Sequence, residues 1–231
     1  MFKKMIPLLL ALLLFITACT ACANLTNRSD TFTYPIESFV VVGNYLDDNQ
    51  VGHGSGSVIR QTEKGTIILT AEHVCDNPEL QVVAAIHNKT PSVRVNELKS
   101  YVLHTDREED LCMMKVPNGL EHYPVLPLSQ TPPELQEKVF TTSSPRGLAD
   151  LENNLVGMFE GLYLGETEVL GIMKSAFSIP TAGGSSGSPI FNMNGEIVSI
   201  TTHGNRGFEN VGYGPKWEVL HEFITDYLQL R

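Results

Sequence analysis

From Phe39 to Tyr213 the chain is written in short apolar or alternating runs, and nothing else constrains its fold so tightly. Phe39–Val42, Val58–Ile59, Thr66–Thr70, Val82–Ile86, Val93–Val95, Tyr101–Leu103 and Leu111–Val116 come first, many separated by Gly-, Asn- and Asp-rich turns. Runs of this length bounded by turn residues are the pattern of β-strands. A proline-marked stretch from Pro117 to Pro133 then interrupts the series. Proline cannot donate to a sheet ladder, so this density suits a connector. Strand patterns resume at Val139–Thr142, Leu155–Leu164, Val169–Phe177, Pro189–Phe191, Ile197–Thr202 and Val211–Tyr213. Only the end differs: from Trp217, apolar residues recur at Leu220, Phe223, Ile224, Tyr227 and Leu228, the stripe of a helix docked on a core. Two β-rich halves around a connector predict an all-β fold of two packed six-stranded β-barrels with a C-terminal α-helix.

The first residues have another purpose. Lys3 and Lys4 precede an apolar core from Met5 to Ile16 that is too short to span a bilayer comfortably, the form of a secretory signal peptide. Ile16-Thr-Ala-Cys19 resembles a bacterial lipobox, which would make Cys19 the lipidated mature N-terminus; Ala21-Cys-Ala23 offers a plain cleavage site instead. The expected organisation is a signal peptide over 1–18, a flexible tether over 19–35, an N-terminal barrel over 36–116, a connector over 117–136, and a C-terminal barrel with its helix over 137–231. The expected location is the bacterial cell envelope as a lipoprotein, or outside the cell if the leader is simply removed. Sixteen Lys and Arg stand against 26 Asp and Glu, a formal charge of −10 that deepens to −12 when Lys3 and Lys4 leave with a leader holding no acid. So acidic a surface argues against a nucleic-acid partner. A lipid anchor would be the only membrane contact, and a monomer is expected.

Three stretches carry chemistry. Gly183-Gly-Ser-Ser186-Gly-Ser188 can turn sharply and aim backbone N–H groups one way, beside a hydroxyl able to attack a carbonyl. Alone, such a run would be a flexible linker. Upstream, Gly65-Thr-Ile-Ile-Leu-Thr-Ala-Glu-His73 is a buried strand running into a histidine, one of seven in the chain. Arg107-Glu-Glu-Asp110 places a carboxylate at the mouth of the strand Leu111–Val116, where it would be drawn inward and need a donor such as a histidine N–H.

Gly54-Ser-Gly-Ser-Val-Ile59, Leu69-Thr-Ala-Glu-His73, Asp110-Leu-Cys-Met-Met and Gly184-Ser-Ser186-Gly-Ser-Pro189 together resemble the trypsin/chymotrypsin-like serine peptidases, nearest in flavour to the small bacterial members and the glutamyl endopeptidases. The resemblance runs from about residue 38 to the end, and the motifs keep the family's order. It implies an endopeptidase acting on protein or peptide substrates without cofactor or metal. It makes Ser186 the nucleophile, His73 the general base, Asp110 the partner that fixes the imidazole, and the Gly184 and Ser186 amides the oxyanion hole. Thr202 matches a position whose hydroxyl supports the aspartate. If Asp110 contacts His73, then Cys75 and Cys112, each two residues beyond, should be joined by a disulfide.

Register with the family puts Pro180 and Thr181 at the specificity-pocket floor, with Thr201, Thr202, His203 and Val211–Tyr213 around it. No carboxylate stands at the floor position, and Thr201 occupies the place where glutamyl endopeptidases carry a histidine, so a small or apolar P1 residue is expected. Two departures stand out: Glu72 replaces the family's alanine before the histidine, and Ser185 replaces the aspartate that digestive members pair with a cut N-terminus. The latter implies an enzyme needing no such cut. Gly183-Gly-Ser185-Ser-Gly187 also fits a Gly-x-Ser-x-Gly elbow, but that motif needs a following helix and a histidine later in the chain, whereas Pro189 and a strand pattern follow. The other rival is a catalytically silent, peptidase-like binding lipoprotein, for which Glu72 is the one hint.

Overall fold

The computed structural model describes residues 36–46, 49–75, 81–85, 97–145, 156–205 and 207–229. The leader, the tether, Cys19 and the run Val93–Val95 lie outside them. Among the described residues the strands form two seven-stranded antiparallel sheets. The first is built from β1 (Phe39–Leu46), β2 (Asn49–Thr62), β3 (Gly65–Thr70), β4 (Gln81–Ala85), β5 (Glu97–Lys99), β6 (Tyr101–Asp106) and β7 (Leu111–Val116), in the order β5-β4-β1-β2-β3-β7-β6. A one-turn helix, α1 (Glu72–Cys75), follows β3.

The second sheet comprises β8 (Lys138–Ser143), β9 (Gly157–Val169), β10 (Ile172–Phe177), β11 (Pro189–Phe191), β12 (Ile197–Ile200), β13 (His203–Asn205) and β14 (Phe208–Gly214), ordered β12-β11-β8-β9-β10-β14-β13. The three-residue strands β5 and β13 bring each sheet to seven where the sequence suggested six. Their shortness leaves no periodic signal to read. The run Val169–Phe177 is not one strand: Leu170 (φ 54°) and Gly171 (φ 86°) turn β9 back onto β10. Two successive positive φ values make the twist that suits a tight hairpin, but leucine disguises the first of them.

β3 and β7 are mainly apolar because both of their faces are covered. Their side chains divide by parity. Ile68 and Met114 point into the N-terminal core with Val40, Val42 and Val58. Ile67, Leu69, Leu111 and Met113 point the other way, against Leu220, Phe223, Ile224 and Tyr227 of the closing helix α2 (Trp217–Gln229) and Ile197 and Ile200 of the second sheet. The helix is therefore laid across the N-terminal sheet, and its stripe completes a core shared by both halves. Val139, Phe177, Ile179, Ile190 and Val198 fill the second half. The connector bridges them: the Leu126 N–H donates to the Val58 carbonyl (2.8 Å), and the Pro127 carbonyl accepts from the Ile197 N–H (2.7 Å). No described helix is long and apolar enough to cross a membrane.

Candidate active site

β3 ends at Thr70, and the turn of α1 that follows swings His73 to the edge of the first sheet. Asp110 lies at the start of β7, which pairs with β3 through Thr70 and Cys112. Adjacent strands thus bring the two residues together. The His73 Nδ1–H donates to Asp110 Oδ2 (2.8 Å) and lies 3.0 Å from Oδ1, while the His73 backbone N–H donates to Oδ1 (2.9 Å). A carboxylate can only accept, so Nδ1 carries the proton and Nε2 of the neutral ring is left as a base. The Asp110 side chain is 10% exposed and that of His73 50%. Asp110 adopts φ 61°, a left-handed conformation that aspartate tolerates better than most residues.

The imidazole pKa is raised above its usual value. The hydrogen bond to Asp110 is the main cause, opposed by burial and helped by the Asp110 and Glu72 charges. Glu72, the charge that stood out in the sequence, is itself buried and takes the Arg107 Nε–H at 3.1 Å. The Cys75–Cys112 disulfide lies directly behind the pair, with Cα atoms 6.6 Å apart.

The serine loop is seated on this edge through Ser55. Thr70 Oγ1 donates to the Ser55 carbonyl (2.7 Å), the Ser55 N–H donates to the Ser186 carbonyl (2.7 Å), and Ser55 Oγ donates to the Gly184 carbonyl (2.7 Å). Gly54 is pressed between the Val74 side chain and the Ser186 carbonyl, where an added Cβ would meet both. Two loop positions require glycine. Gly184 (φ 94°) would drive a Cβ into the Ser144 carbonyl, and Gly187 (φ 85°) would drive one into the Ser55 carbonyl. The Gly187 N–H donates to the Thr201 carbonyl (2.7 Å), and the Ser188 carbonyl accepts from the Thr201 N–H (2.9 Å). Among the described residues neither the Gly184 nor the Ser186 amide has a hydrogen-bond acceptor. No hydrogen bond joins the Ser186 hydroxyl to the His73 ring.

Ser185 points the other way. It is buried, its Oγ accepts from the Ala182 N–H (3.2 Å) and from Ser143 Oγ (3.1 Å), and it braces the loop from beneath. That inward anchor is incompatible with an elbow nucleophile at this position.

Beside the loop is a cleft of about 310 Å³ with Thr181, Thr201, Ser186 and His203 in its wall. The Thr181 hydroxyl is drawn away to the Val211 carbonyl (3.2 Å). Instead of Val211–Tyr213 and Pro180, the cleft is lined by Asn205 and the exposed Glu209, because the β13–β14 pairing curls that hairpin over it. A second groove, about 560 Å³, holds His73, Asp110, Lys174, Thr202 and the apolar hairpin residues Val169, Leu170 and Ile172. His203 and Gly204 border both. Burial lowers the His203 pKa, with Asp110 pulling against it and Lys174 and His73 reinforcing it. The Thr202 hydroxyl, expected to support the aspartate, donates to the Tyr213 carbonyl (3.3 Å) and lies 3.0 Å from His203 Nδ1, with no hydrogen bond to Asp110. Ser55 and Thr70 seat the serine loop, and the sequence reading gave neither a role, although both lie inside its motifs, Gly54-Ser-Gly-Ser and Leu69-Thr-Ala-Glu-His73.

Two antiparallel β-sheet units, a His–Asp pair on one and a glycine-braced serine loop on the other, define the class of protein: a chymotrypsin-like fold bearing a peptidase-type site. The model of the trypsin-like peptidase domain matches residues 54–200, and the chain belongs to that family. Its fold is similar to the serine endoprotease from Yersinia pestis (TM-score 0.69, 19% identity, covering 87% of this chain and 66% of that one). It is also similar to an inactive mutant form of Rv3671c from M. tuberculosis (TM-score 0.62, 16% identity, covering 86% and 90%). No curated protein sequence matches the chain.

Proposed function

We propose that the protein is an exported serine endopeptidase that cleaves peptide bonds through an acyl-enzyme, with Ser186 as nucleophile, His73 as base and Asp110 as its partner. The observation that carries this reading is the His73–Asp110 pair, because it leaves Nε2 unprotonated on the side open to substrate. Nε2 takes the Ser186 hydroxyl proton as Oγ attacks the carbonyl, and returns it to the leaving amine; Asp110 stabilises the imidazolium in between. The acceptor-free amides of Gly184 and Ser186 suit the developing oxyanion, and one such donor is worth roughly 2.7–4 kcal/mol in the transition state. Ser185, tied into the loop by its own hydrogen bonds, supports a site formed without a cut N-terminus. Thr181 at the expected floor position and Thr201 beside it, neither a carboxylate, support a small or apolar P1 residue, with Glu209 the one acidic side chain in the cleft wall. The leader supports export, with Cys19 as the lipid anchor of an envelope-bound monomer.

One observation favours a second reading, a silent binding module: the Ser186 hydroxyl and His73 are not hydrogen-bonded. Catalytic hydrogen bonds are commonly long without substrate and tighten only in the Michaelis complex. A fluorophosphonate probe separates the two readings. Labelling of the folded protein that disappears in Ser186→Ala is the expected result; a folded, unlabelled wild type would establish the binding module.

A further inference from the structure

Lys174, on β10 of the second sheet, is 1% exposed, and its ammonium has two partners, both in one residue of the first sheet's β6–β7 turn. Nζ donates to Glu109 Oε2 at 2.5 Å and to the Glu109 carbonyl at 3.1 Å. That carbonyl belongs to the Glu109–Asp110 peptide, the plane whose rotation sets φ of Asp110. Asp110 is held at φ 61°, where a non-glycine residue resists remaining unless its surroundings over-determine it. In this conformation its oxygens reach both the backbone N–H and Nδ1 of His73.

Stability does not account for the arrangement. Desolvating an ammonium and a carboxylate costs several kcal/mol per ion, and apolar residues of similar volume commonly replace a buried pair with no loss. The pair stands on the peptide next to the carboxylate and reaches across from the second sheet to the first.

We propose that Lys174 is a positioning residue for the hydrolytic reaction: it clamps the Glu109–Asp110 peptide so that the Asp110 carboxylate stays aligned with His73. The proposal rests on the peptidase reading above for its kinetic readout, but not for its spectroscopic one. A ring N–H bonded to a carboxylate gives a far-downfield proton resonance whether or not the protein turns over.

The test compares wild type with Lys174→Met/Glu109→Gln, a double change that leaves no unpaired charge. Peptide-amide hydrolysis, thermal unfolding and the downfield spectrum are recorded on the full mature chain. The expected outcome is an unfolding temperature no lower than wild type and a kcat reduced about 10- to 100-fold with KM little changed, the scale of a misplacement near 1 Å. The His73 Nδ1–H resonance should be shifted or lost. Wild-type kcat together with an unmoved resonance would overturn the clamp. So would activity lost only in proportion to unfolded protein, with the folded fraction retaining the resonance. If the wild type proves inert toward peptides, the peptidase reading fails while the resonance still judges the clamp.

Discussion

Removing the Cys75–Cys112 bridge is the most quantitative perturbation of this frame. It closes a separation of 37 residues. In the chain-entropy model a loop of that length withdraws about 4 kcal/mol from the unfolded state at 25 °C. For a domain of this size each kcal/mol moves the midpoint by about 2–4 °C, so the expected fall in Tm is about 8–16 °C. Both sulfurs are buried in the N-terminal core, at 2% and 0% exposure, and reduced thiols would pack there as small apolar groups. Reduction therefore isolates the cross-link better than alanine substitution, which adds a cavity cost.

Calorimetry of the oxidised protein, of the protein reduced while unfolded and refolded in reductant, and of Cys75→Ala/Cys112→Ala gives the three numbers needed. The reduced form should fall by the loop-entropy amount and the alanine form further. A reduced protein melting within about 3 °C of the oxidised one would refute the reasoning, since at least about 2.5 kcal/mol would then be missing. Non-reducing mass mapping that found both thiols free would remove the premise altogether.

Two other outcomes follow from the site. His73 must be neutral to accept a proton, so kcat/KM should climb as pH rises through its raised pKa, above the ordinary 6.5. The stability drawn from protonated His73 is complete below 6.5 and lost across the same window, so activity appears as that contribution fades. Glu72→Gln removes one of the charges holding the pKa up and should move the climb to lower pH; a pH–rate profile unmoved or displaced upward would contradict the assigned cause. Cleavage of a peptide library should favour small or apolar P1 residues, and a profile dominated by Arg or Lys would instead give Glu209 command of the cleft.

The catalytic candidates were legible because each is announced by its own neighbours. His73 ends an apolar strand, Asp110 opens one, and Ser186 sits between Gly184 and Gly187, two positions that require glycine. The meeting of His73 and Asp110 was legible too, as β3 and β7 pair directly and the cysteines mark the same register. What the sequence concealed are the joins made over long separations by residues whose local signal points elsewhere. Lys174 in Ile172-Met-Lys-Ser-Ala-Phe177 reads as an outward charge on a strand, since nothing within β10 reveals a carboxylate 65 residues earlier waiting to receive it. Ser55 lies within a motif, yet nothing near it in the sequence reveals that it binds the serine loop 129 residues away. Thr202 shows the opposite case: its position matched the family, yet its hydroxyl meets the Tyr213 carbonyl and His203 Nδ1 rather than Asp110. A reacting group is constrained by chemistry to a few residue types, whereas the group that aims it needs only a donor at the right distance, and many side chains supply one. Substitutions at Lys174, Glu109 and Ser55 should therefore reveal more about how this site is held together than further changes to His73 or Ser186.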